Sequence, residues 1–201
     1  MARIGIYGGT FNPIHIGHLI CAQEVQTTLG LDRVLVVPAG IPPHKPMAND
    51  PGSNHRLAMV RLATADDPRL ECSSVEVDRE GPSYTAVTLE ILAADYPEDE
   101  LTLIVGGDAA HSLPQWHSPS EILSRARLAV VNRAGFTPEA VTEQIEKIGD
   151  TEQVDFIVMP EIAVSSSAIR ERVMRSLPIR YLVPDSVAGY IEVQDLYKGV
   201  R

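Results

Sequence analysis

Within its first 18 residues the chain passes from an apolar stretch through two glycines to an Asn-Pro pair and two histidines: Arg3-Ile-Gly-Ile-Tyr-Gly-Gly-Thr-Phe-Asn-Pro-Ile-His-Ile-Gly-His18. This order constrains the fold more than any other feature. Arg3 to Tyr7 reads as a short buried strand. Gly8 and Gly9 let the backbone turn tightly and approach a ligand. Asn12-Pro13 opens a helix, with Asn as the cap and Pro in the first turn. His15 and His18, three residues apart at the head of that helix, project to one side of it. A strand, a glycine turn and a helix N-terminus together form an anion site, with unpaired N–H groups and the positive end of the dipole facing the ligand. Two imidazoles added there point to phosphate handling. The string is neither Gly-x-Gly-x-x-Gly nor the Gly-Lys-Ser/Thr of a P-loop.

Further along, strands and helices alternate. Helical spacing covers Ile16 to Leu29, His55 to Ala65, Tyr84 to Ala94, Ser165 to Met174 and Pro184 to Val193. Near-continuous apolar runs cover Arg33 to Pro38, Leu70 to Val77, Leu101 to Val105, Leu128 to Val131 and Val154 to Met159. Apolar strands alternating with helices are the pattern of a parallel sheet covered on both faces. The expected fold is α/β: a doubly wound, Rossmann-like, mostly parallel sheet with helices on both faces. Its length of 201 residues suits one domain spanning 1–201. In such sheets ligands bind outside the carboxyl ends of the strands. The loops there carry the polar motifs: Gly8 to His18, Ala39 to Lys45, Gly106 to Trp116 and Ser165 to Arg170.

Charge narrows the partners. Seventeen basic against 27 acidic residues give a net charge of −10, which argues against nucleic acid and anionic membranes. Cys21 and Cys72 are too few for a disulfide framework and lack metal-site spacing. No apolar run is long enough to span a bilayer, and the opening residues do not read as a signal peptide. The simplest location is the cytoplasm. A homo-oligomer is compatible with the sequence.

Each remaining motif has two readings. Ser165-Ser166-Ser167 followed by Arg170 is either plain helix capping with a solvated arginine or a second phosphate site, with hydroxyls and a fork of guanidinium donors. Lys45, bracketed by prolines in a loop rich in Pro, Gly and Asn, is either a solvated lysine or a cation that closes on phosphate. Pro82-Ser-Tyr-Thr85 is a cap sequence in its plainer reading. Gly106-Gly107-Asp108 ends a strand, and Asp108 either caps the next helix or accepts from ribose hydroxyls. Trp116, the only Trp, sits between Gln115 and His117, a poor core setting and a fit one for a stacking platform. Arg133 is a surface arginine or a phosphate ligand.

The first string and the Ser-Ser-Ser-Ala-Ile-Arg170 string resemble the two signatures of the nucleotidylyltransferase superfamily, and the chain looks most like its bacterial nicotinate-mononucleotide adenylyltransferases. The resemblance runs from Arg3 through Tyr181-Leu-Val-Pro-Asp185. It departs from the family at Asn12 and Val87, each where Asp is usual, and at Pro119, where a second aromatic is common. The resemblance implies adenylyl transfer from ATP to nicotinate mononucleotide, with Mg²⁺ carried on the ATP phosphates. It implies ATP contacts from Gly8, Gly9, Thr10, Phe11, His15, His18, Ser165, Ser166, Ser167 and Arg170. It implies acceptor contacts from Lys45, Thr85, Gly107, Asp108, Trp116, His117 and Arg133. His15, His18, Lys45 and Arg170 carry the catalysis in this reading. Two other readings keep the pocket: the same chemistry on nicotinamide mononucleotide or another phosphorylated acceptor, and a nucleotide sensor without turnover.

Overall fold

Strands and helices alternate along the whole chain in the computed structural model, which describes residues 1–43, 49–132 and 136–198. In order they are β1 (Arg3–Gly9), α1 (Ile16–Leu29), β2 (Arg33–Pro38), α2 (Ser53–Thr64), β3 (Leu70–Cys72), α3 (Thr85–Asp95) and β4 (Glu100–Gly106). Then follow α4 (Gly107–Ser112), α5 (Pro119–Arg125), β5 (Arg127–Asn132), α6 (Pro138–Ile145), β6 (Val154–Val158), α7 (Ser166–Met174) and α8 (Asp185–Val193). The strands form one sheet in the order β3-β2-β1-β4-β5-β6, and every pair is parallel. The order reverses between β1 and β4, so the carboxyl ends of these two central strands bound the crevice where doubly wound sheets bind ligands.

The sheet is apolar on both faces because its strands alternate without polar gaps. Ile4, Ile6, Leu35, Val37, Leu103 and Val130 pack against α3, α4, α5 and α6. Tyr7, Val34, Val36, Ile104 and Val131 point the other way, onto α1, α2, α7 and α8. Among the described residues no helix is long and apolar enough to cross a membrane.

Three local differences from the sequence reading have physical causes. The third strand spans only Leu70–Cys72 rather than reaching Val77. Alternate residues of β2 serve β3, with Val34 N–H donating to Arg69 O and Val36 O accepting from Ser73 N–H. Pro38 is next in that series and has no N–H with which to extend the ladder. The chain then turns, with Val77 and Asp78 N–H both donating to Ser74 O. The first helix starts at Ile16 with His15 as its cap, not at Asn12-Pro13, whose peptide bond is cis. Gly8 and Gly9 are the last residues of β1 rather than the turn itself. The positive φ of the turn falls on Phe11, at 49°.

Candidate active site

At the switch point a cavity opens between the two central strand ends. Gly8 and His18 line one side, Gly106, Asp108 and Trp116 the other, and Tyr7 and Cys21 are also in its wall. A Cβ on Gly8 would meet nothing within 4 Å, so its missing side chain leaves backbone open to a ligand. Gly9 has a different reason to be glycine: a Cβ there would lie 2.8 Å from the Phe11 ring. That ring is buried and meets the His18 ring edge-on, with centroids 5.0 Å apart. Phe11 therefore braces His18 from the core side.

His15 and His18 sit together, as their spacing suggested. Their rings stack with centroids 3.6 Å apart. His15 is buried, at 3% exposure, behind the half-buried His18. The His15 backbone N–H donates to His18 Nδ1 at 3.2 Å. With Nδ1 accepting, a neutral His18 ring carries its proton on Nε2 and presents that nitrogen as a donor.

The second phosphate motif is tied directly to the first. Ser165 caps α7 by accepting from Ala168 N–H at 3.2 Å. Ser166 Oγ donates to Pro13 O at 2.8 Å, and Arg170 Nη1 donates to Asn12 O at 2.7 Å. Arg170 Nη2 reaches Ser167 Oγ at 3.2 Å. So capping and contact with the first motif are not alternatives here, since one set of serines and one arginine do both. Asn12 uses its side-chain oxygen: Asn12 Oδ1 accepts from Tyr197 Oη at 2.7 Å.

Asp108 and Trp116 lie on the other wall. Asp108 lies in the first turn of α4 and is exposed to the cavity, with Gly107 buried beside it. Trp116 is half-buried, and its Nε1–H donates to Ser112 Oγ at 3.3 Å. Tyr84 stacks on His117 with centroids 4.4 Å apart, so Thr85, the first residue of α3, stands next to the Trp116–His117 turn. Thr85 and His117 do not themselves line the cavity. Val87 lies in the first turn of α3, and Pro119 is the first residue of α5. Lys45 and Arg133 lie outside the described residues.

Sequence reading missed three residues that hold this arrangement. Arg56 is fully buried and spans two loops. Its Nη1 donates to Thr10 O at 3.2 Å and also to Ala39 O, its Nη2 to Gly40 O at 3.0 Å, and its Nε to Asp50 Oδ1 at 3.0 Å. Ser83 Oγ accepts from Gly40 N–H at 2.8 Å and Ile41 N–H at 3.2 Å, which fastens the root of the Lys45 loop to the Pro-Ser-Tyr-Thr turn. Tyr197 is the third. The helical phase of Arg56 and the cap position of Ser83 were legible, but partners so distant in sequence were not.

The cytidylyltransferase-like family matches residues 6–172 of the chain. The chain is 47% identical over 199 residues to the "Probable nicotinate-nucleotide adenylyltransferase" of Roseiflexus sp. (strain RS-1), covering 98% of each. It is 40% identical over 199 residues to the "Nicotinate-nucleotide adenylyltransferase" of Bacillus subtilis (strain 168), covering 99% of this chain and 100% of that one. Its fold is similar to the Plasmodium falciparum nicotinic acid mononucleotide adenylyltransferase complexed with NaAD, with a TM-score of 0.79 at 18% identity and 98% of each chain covered. The same enzyme complexed with APC gives a TM-score of 0.76 at 16% identity, again with 98% of each chain covered.

Proposed function

The chain belongs to the nicotinate-nucleotide adenylyltransferases of the cytidylyltransferase-like family, and on that premise we propose that it transfers the adenylyl group of ATP to nicotinate mononucleotide in NAD biosynthesis. The products are nicotinate adenine dinucleotide and pyrophosphate. One observation carries the reading: a single cavity at the switch point has His18 on one wall and Asp108 and Trp116 on the other.

The mononucleotide's 5′-phosphate oxygen attacks the α-phosphorus of ATP. The new P–O bond forms as the bond from the α-phosphorus to the α,β-bridging oxygen breaks, and that oxygen leaves with pyrophosphate. The attacking phosphate is already ionised, so no side chain need serve as nucleophile. Catalysis is positioning and charge stabilisation. His18 Nε2–H donates to an α-phosphate oxygen as charge builds there, with His15 and Phe11 holding its ring. The open backbone at Gly8, Gly9 and Thr10 lets the triphosphate approach. Arg170, Ser165, Ser166 and Ser167 hold the departing phosphates, and Lys45 adds a cation.

Asp108 accepts from the ribose of the mononucleotide beside Gly107, and Arg133 is assigned to its phosphate from the sequence resemblance alone. Trp116 stacks on the pyridine ring, and backbone N–H groups near Thr85 and His117 receive the carboxylate. A nicotinamide ring would set an NH₂ donor against those donors, leaving polar groups unpaired at about 1–3 kcal/mol each. Among the described residues no group of three or more His, Cys, Asp or Glu side chains is placed to hold a metal ion. Mg²⁺ would arrive with ATP, held by its phosphates, and would neutralise phosphate charge there.

The reading is tested by incubating the protein with ATP, Mg²⁺ and nicotinate mononucleotide and following pyrophosphate. Release that depends on the mononucleotide supports it. ATP binding without release would instead support the sensor.

A further inference from the structure

Tyr197 belongs to none of the motifs above, yet it reaches the centre of the site. Its ring is buried in the core layer beneath α1 and α7. Its backbone is held at a φ of 62°, a left-handed conformation that an aromatic residue rarely adopts. Its hydroxyl donates to Asn12 Oδ1 across 185 residues of sequence, in a fully buried bond of 2.7 Å. Burial pushes the phenol well above its usual range, so it stays a donor throughout neutral pH.

The segment it touches is held from several sides. Arg56 binds Thr10 O, Arg170 binds Asn12 O, and Ser166 binds Pro13 O. All three donors reach backbone carbonyls, and Tyr197 alone among these four reaches a side chain of the segment. The Asn12 carbonyl that takes Arg170 and the Asn12 amide that takes Tyr197 belong to one residue. Losing the amide link frees the side-chain torsions of Asn12 and removes one of the two polar ties on the residue whose carbonyl holds the guanidinium.

We propose that Tyr197 is a positioning residue for adenylyl transfer, its hydroxyl holding Asn12 so that the Asn12 carbonyl fixes Arg170 against the leaving phosphates. The proposal rests on the function inferred above. It predicts an effect on turnover beyond the effect on folding, because small displacements of a charge-stabilising group cost rate steeply.

The test compares Tyr197→Phe, Asn12→Ala, the double variant and Leu196→Ala with the wild type. Leu196 is buried in the same terminal segment and has no polar link to the motif, so Leu196→Ala loosens the segment without removing the hydroxyl. Tyr197→Phe should lower kcat about 10-fold, with KM for ATP within about 2-fold. The double variant should be no worse than Asn12→Ala, since both remove one link. Leu196→Ala should lower Tm and keep kcat. In the ligand-free protein the Arg170 Nε–Hε resonance should shift in Tyr197→Phe and stay in place in Leu196→Ala.

Unchanged kcat in Tyr197→Phe, additive losses, or an equal loss in Leu196→Ala would overturn the assignment. So would a Tyr197→Phe chain that does not fold, because the tie would then be structural. If the wild type itself does not turn over, the functional reading fails, and the Arg170 resonance alone decides whether Tyr197 positions it.

Discussion

His18 is held from three directions: the stacked His15 ring, the edge of Phe11 and the His15 backbone N–H on its Nδ1. A ring held this way delivers its Nε2–H without reorganisation, which is where electrostatic catalysis gains most. Replacing His18 by Ala should lower kcat by about 10²-fold or more and change ATP affinity much less. Steady-state kinetics with a separate binding measurement checks this, and a kcat within a factor of a few would remove His18 from the chemistry. The pairing of the histidines was legible because three residues is about one helical turn. Phe11's part was not, because a buried aromatic next to a glycine looks like any core residue until Gly9 is seen to make room for its ring.

The loops that build the site are fixed at their roots by buried polar links. Arg56 is the main one, joining the loop after β1 to the loop after β2 through Thr10, Ala39 and Gly40. Its fork serves three carbonyls and a carboxylate at once, which the single ammonium of Lys cannot do. Arg56→Lys should therefore destabilise the protein by about 3 kcal/mol, as breaking a buried ionic link does, and urea unfolding reads it directly. A loss below about 1 kcal/mol would mean that water replaces the link. The long elements were legible: α1 spans the apolar spacing from Ile16 to Leu29 and ends at Gly30 in the left-handed conformation, although its cap is His15 and not Asn12. The short helices α4, α5 and α6 were not. In α6 the buried face is only Val141 and Ile145, one i, i+4 pair and too little for a periodicity to show.

At the scale of the whole molecule, the fold class followed from apolar strands alternating with helices, and the all-parallel order β3-β2-β1-β4-β5-β6 matches it. Two groups, the buried Tyr197 and the half-buried Cys72, make a shared prediction about alkaline pH. Burial pushes the Cys72 thiol up to about 11 and raises the Tyr197 phenol as well. From about pH 9 upward the unfolded chain loses the Cys72 proton while the folded chain keeps it. The unfolded state then binds fewer protons, and stability falls as pH rises from about 9 to about 11. Urea unfolding at steps across that window should show the decline, and Cys72→Ala should make it shallower. A stability that rises over the window would contradict the burial of both groups.

The central claim is that one site, the cavity together with the adjoining Thr85 and His117 turns, joins ATP to a pyridine mononucleotide and reads its carboxylate. The most direct measurement supplies ATP and Mg²⁺ with nicotinate and nicotinamide mononucleotides in equal amounts and separates the dinucleotides formed at early times. The account predicts pyrophosphate release matched by nicotinate adenine dinucleotide, exceeding the amide product by about 10-fold or more, the discrimination expected when buried donors meet the wrong group. Equal amounts of the two products would mean that the pocket does not read the carboxylate. No dinucleotide at all, with ATP bound, would contradict adenylyl transfer itself.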